Sequence, residues 1–174
     1  SGTAEDNGPI IVRAFPKGVR NELVATVFTD EEKINVVLDG YDDWYNPKSI
    51  VTGTPLNDKY NALSSEKLRL CPLMDAAGKR SRHASAPEKE KASAKAELDS
   101  LSNIYYRFLS DFVIENISND AGRTAFKSSD FIFMPLPILL KTVDAIPAGL
   151  RDEPHNAERI KFAAAKQAVQ PGRP

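Results

Sequence analysis

The chain holds a single cysteine, Cys71, and only two histidines, His83 and His155, among its 174 residues. One thiol excludes an internal disulfide and leaves no thiolate set for a structural zinc site, so stability must come from packing. Cys71, just before Pro72, reads as a small core residue rather than a reactive thiol. Two histidines without a surrounding motif offer little for nucleophilic catalysis, which needs a base beside the nucleophile and a third group to orient it. A phosphate loop, a dinucleotide-binding glycine pattern and a metalloprotease helix are also missing. Carboxylate chemistry leaves no such signature, and a small carboxylate-dependent hydrolase with its acids in residues 39–43 remains an alternative. Asp39, Asp42, Asp43 and Asn46 present oxygens, but their spacing lacks the loop of a calcium-binding hand. No cofactor and no metal are expected.

Long hydrophobic runs are scarce as well. The longest, residues 131–140, is broken by Pro135 and Pro137 and is too short to span a bilayer. Nor does one sign of charge dominate: 23 basic residues face 24 acidic ones, so there is no global attraction to polyanions and any such binding rests on a local patch. With 41% hydrophobic and 27% charged residues, the composition suits one buried α+β core over residues 9–170, with flexible ends at 1–8 and 171–174. No targeting segment stands out, and the cytoplasm is the default location.

The longest regular pattern runs from Pro87 to Ile117. Ser85 suits the cap, Pro87 the first turn, and Glu88 and Glu90 the positive end of the dipole. Leu98, Leu101, Tyr105, Phe108 and Phe112 step by three or four residues, flanked by Ile104, Leu109, Val113 and Ile117, which predicts one wide amphipathic face. At about 1.5 Å per residue the helix is longer than a small core needs. Residues 87–97, rich in Ala, Lys and Glu, therefore read as a projecting arm, while Asn119 and Gly122 read as the helix stop.

Ahead of it, residues 9–15, 23–28 and 34–39 predict an antiparallel β-meander of three strands that the long helix covers. Residues 50–51 suit a short further strand, 63–70 a brief helix ended by Pro72, and 75–86 a mobile basic connection. Beyond the long helix, 131–134 reads as a buried extended segment. Leu139, Val143 and Ile146 mark a helix opened by Pro137, and Ile160, Ala164 and Ala168 mark a final helix from Pro154. The fold class is thus α+β, an N-terminal meander with one long amphipathic helix and shorter C-terminal helices.

Two stretches stand out as contact surfaces. Tyr41, Trp44 and Tyr45 are packed among Asp42, Asp43 and Asn46, a combination that suits protein recognition or, more plainly, an aromatic plug for the core. Lys79, Arg80, Arg82 and Lys89, with His83, Lys91 and Lys95, form a basic stripe able to meet phosphates but without aromatics for base stacking. The sequence reads as a non-enzymatic interaction or assembly protein, with a protein partner or further copies of itself. A nucleic-acid accessory role through the basic stripe is the alternative.

Overall fold

The computed structural model describes residues 9–15, 17, 23–29, 33–38 and 49–169. Four strands come first among these: β1 (Ile10–Ala14), β2 (Leu23–Val27), β3 (Asn35–Val37) and β4 (Ile50–Thr52). β1 pairs antiparallel with β2, Ile10 opposite Val27, and β3 pairs antiparallel with β4, Asn35 opposite Thr52. The strands make two separate ladders instead of a three-stranded meander. The β-branched Ile50–Thr52 segment provides the competing partner for β3. Gly53, with φ of 103°, then turns the chain so close to Lys33 that a Cβ would lie 3.2 Å from its carbonyl oxygen. Ala25, Val27 and Val51 form a small core between the ladders, with Val12, Ile34 and Leu38 against it.

Two long helices follow, α1 (Pro55–Ser81) and α2 (Glu88–Asn116). The second is the predicted one. The first replaces both the brief helix over 63–70 and most of the connection over 75–86, leaving only 82–87 outside helix. Thr54 starts α1 by accepting a hydrogen bond from the Asn57 backbone N–H at 3.3 Å, and Pro55 fits the first turn. Pro72 does not stop it. A proline removes one intrahelical donor, and burial of Leu63, Leu70 and Ala77 on both sides of Pro72 outweighs that loss. Ser85 does not cap α2; the residue at that position is Pro87, without a side-chain bond.

The two helices pack as a hairpin. Ala77 is fully buried, and Gly78 and Ala94 are buried with it, so small side chains let the backbones approach where the arm was expected to stand alone. Farther from the tip α2 buries Tyr105, Tyr106, Leu109, Phe112 and Val113, and its cap residue Ile117 is buried too, while Ile104 and Phe108 stay outside. The buried arc keeps Leu101, Tyr105 and Phe112 of the predicted stripe and is shifted toward its Leu109 and Val113 flank, because α2 is covered on two flanks, by α1 and by the C-terminal helices, which draw in Tyr106 and Ser110.

Those C-terminal elements are α3 (Asp120–Lys127), a 3-10 turn (Ser129–Phe133), α4 (Leu136–Asp144), a second 3-10 turn (Ala148–Leu150) and α5 (Pro154–Ala168). Asn119 and Gly122 open α3 rather than close α2: the Asn119 side chain accepts from the Gly122 N–H at 3.1 Å, and neither residue has positive φ. Of residues 131–134, expected to be extended, 131–133 are coiled in the first 3-10 turn and Met134 follows it as the cap, although Phe131 and Met134 are fully buried as their apolar character requires. Leu139, Val143 and Ile146 are buried as the helical spacing predicts. On α5 the inward side carries Asn156, Ile160 and Ala163, and Ala164 and Ala168 face solvent.

The architecture is α+β, with short antiparallel strands followed by long and then shorter helices. α1, not α2, is the helix against the strands: the Asn57 amide accepts from the Phe28 N–H at 2.9 Å and donates to its carbonyl at 2.7 Å. Asn61 bonds the Val51 backbone in the same two-way fashion. No helix among the described residues is long and apolar enough to cross a membrane.

Candidate functional site

The α1–α2 hairpin leaves large apolar side chains exposed on both helices, Leu73 on α1 and Ile104 and Phe108 on α2. The Arg80 guanidinium meets the Glu97 carboxylate at 2.8 Å and so fixes which flanks of the two helices adjoin. Leu73 lies seven residues before Arg80, and Ile104 and Phe108 lie seven and eleven after Glu97. Seven residues are two helical turns, about 10.5 Å along the axis, and both steps lead away from the hairpin tip. Leu73 and Ile104 therefore stand level on the side the bridge spans, with Phe108 one turn farther on. Leu73 and Ile104 are each 48% exposed and Phe108 37%, an apolar strip in water. Glu66 and Arg69, paired with each other on α1, lie beside it at helical spacing from Leu73.

Four residues of the predicted basic stripe are held by acids. Besides the Arg80 pair, Lys79 binds Asp75 at 2.6 Å, Lys91 binds Glu88 at 2.9 Å and Lys95 binds Asp99 at 2.8 Å. From Asp75 to Asp99 six basic side chains face five acidic ones, so the region is close to neutral. Arg82 lies against Gly78, and Lys89 is exposed on the first turn of α2. The structure thus brings Lys79, Arg80, Arg82 and Lys89 to one end of the hairpin but mixes them with carboxylates. Tyr41, Trp44 and Tyr45, together with the acids of 39–43, lie outside the described residues.

A partly buried polar cluster escaped the sequence reading. Asp130, in the first 3-10 turn, accepts from the Lys67 ammonium at 2.9 Å and from the Tyr105 hydroxyl at 2.7 Å, and its backbone N–H donates to the Ser128 hydroxyl at 3.2 Å. One carboxylate joins α1, α2 and the 3-10 turn. Burial alone would raise its pKa, but the Lys67 charge and the hydrogen bonds from Tyr105 and Lys67 hold it below the ordinary value. Tyr105 is pushed well above its ordinary value, first by burial and then by the Asp130 charge; the same two causes raise Tyr60 and bring Tyr106 to about 12. At neutral pH these tyrosines keep their protons and the carboxylate stays ionised. The cluster is built to hold charge in place, whereas acid–base catalysis wants a group poised near the working pH. Lys67, Tyr105 and Asp130 lie far apart in sequence, and only a predicted α1 would have hinted that Lys67 points at the core. Among the described residues no group of three or more His, Cys, Asp and Glu is arranged to hold a metal ion. Comparison with family models, with curated proteins and with solved structures gave no match.

Proposed function

We propose that this chain is a non-enzymatic protein–protein interaction or assembly protein whose contact surface is the open side of the α1–α2 hairpin. The observation that carries the reading is the strip of Leu73, Ile104 and Phe108, three large apolar side chains kept in water on one side of paired helices. Such a strip beside paired charges is the make-up of an interface centre and its polar rim. Tyr41, Trp44 and Tyr45 are a second contact on sequence grounds alone. The partner is another protein or another copy of this chain.

A phosphate-binding role has less support, because the pairing of Lys79, Arg80, Lys91 and Lys95 with carboxylates leaves little net charge to release counterions. Duplex binding that weakens steeply with salt and vanishes in an Arg82→Ala, Lys89→Ala variant would favour it instead.

The first test is the solution mass of the full chain by size-exclusion chromatography with light scattering, at low and high salt. Wild type is expected to run at a multiple of 19.1 kDa and the Ile104→Ser, Phe108→Ser variant at that single mass with an unchanged circular dichroism spectrum. An equal mass for both proteins would remove self-association through this strip. If wild type is already a monomer, the contact belongs to a separate protein.

A further inference from the structure

Tyr60, Ser64 and Lys67 follow one another at four and three residues along α1 and so share one side of that helix. They line two cavities. The smaller, about 60 Å³, lies towards α2 and contains Asp130 and Tyr105 in its wall. The larger, about 180 Å³, lies towards the strands, with Val24, Ala25, Val51 and Leu68 as its apolar wall. Asp130 does not line the larger cavity, and among its described lining residues Lys67 is the one charged group.

The donors around this larger cavity are under-used. Among the described residues the hydroxyls of Tyr60 and Ser64 have no hydrogen-bond partner, and the Lys67 ammonium, which carries three donors, has one acceptor, Asp130. Asn61, by contrast, is occupied by the Val51 backbone. The lysine side chain is 38% exposed, so the space opens to solvent. A volume of about 180 Å³ equals about six waters at ~30 Å³ each and is below the range of drug-sized pockets.

We infer that this cavity is a binding site for a small monocarboxylic acid, its carboxylate received by Lys67, Tyr60 and Ser64 and its short apolar body laid against Val24, Ala25, Val51 and Leu68. Three donors with spare capacity suit a group that only accepts, such as a carboxylate; the Lys67 charge is already paired with Asp130, so the selection rests on these donors and not on net charge, and the aliphatic wall selects a short hydrocarbon chain over a bare inorganic ion. The site is on the other side of α1 from Leu73 and does not depend on the interaction reading above.

Hexanoate and hexanamide are the probes, titrated into the full-length protein by calorimetry and by ligand-observed NMR. Wild type is expected to bind hexanoate saturably at millimolar or lower concentration and the uncharged amide about tenfold more weakly, since the bonds lost are those to a charged group. Lys67→Met should bring hexanoate down to the level of the amide. Because that change also strips Asp130 of its partner, Tyr60→Phe, Ser64→Ala serves as the second variant. It leaves the ion pair in place and should weaken hexanoate severalfold without altering the melting transition. Equal affinity for acid and amide, undiminished binding in the double variant, or no saturable binding by wild type would each overturn the assignment.

Discussion

Gly122 shows how much one hydrogen atom in place of a methyl group decides. It sits in the first turn of α3, where the chain has just left α2, and a Cβ built on it would overlap the Asn116 carbonyl and the Ile117 nitrogen. Those are backbone atoms at the end of a packed helix and have no rotamer to yield. Gly122→Ala should therefore push α3 off the end of α2 and cost about 1–3 kcal/mol, the usual range for forced overpacking, despite the better helix propensity of alanine. Urea unfolding measures it; an unchanged or raised midpoint would mean that the junction moves freely. The sequence carried this glycine and Asn119 as stop signals because the same residue types serve helix ends of both kinds. Asn119 takes the extended conformation of an N-cap, a choice made by the short connection back onto α2 and not by its own chemistry.

Between elements, legibility followed periodicity. α2 was readable because its large apolar residues recur at three and four, and α4 because Pro137, Leu139, Val143 and Ile146 agree on one start and one face. α1 was not, since Pro72 and the polar residues from Asp75 to Arg82 argue locally for an ending that packing against α2 overrides. The Lys67–Asp130–Tyr105 cluster depends on that hidden helix. Its electrostatics make a testable claim about how the elements are tied. The Asp130 pKa is lowered in the folded chain, so its contribution is present above the unfolded carboxylate value of about 3.9 and is lost as pH falls through the folded value. Asp130→Asn should thus be less stable than wild type at pH 7, and the difference should shrink below about pH 4 as wild type protonates. A gap that stays constant from pH 7 to pH 3, followed by chemical denaturation, would show that the carboxylate contributes shape and not charge.

Across the whole molecule burial is uneven, and this gradient sets what each part can do. Near the centre Phe28, Tyr105, Leu109, Phe126, Phe131, Met134 and Leu139 meet in one continuous core, each large side chain contributing about 1.5–3 kcal/mol on burial. Toward the hairpin tip the buried side is reduced to Ala77, Gly78 and Ala94, and the remaining contacts are exposed ion pairs worth at most about 1 kcal/mol each. Helix continues there because Ala, Lys and Glu favour it, not because a core demands it. The tip should open without the core unfolding. In native-state hydrogen exchange the amides of residues 90–97 are expected to exchange at least about tenfold faster than those of residues 105–113 on the same helix, through a local opening insensitive to mutations such as Gly122→Ala. Uniform protection along α2 would mean that the hairpin and the core unfold as one unit, and the small-residue contact at Ala94 would then be as stabilising as the aromatic packing around Tyr105.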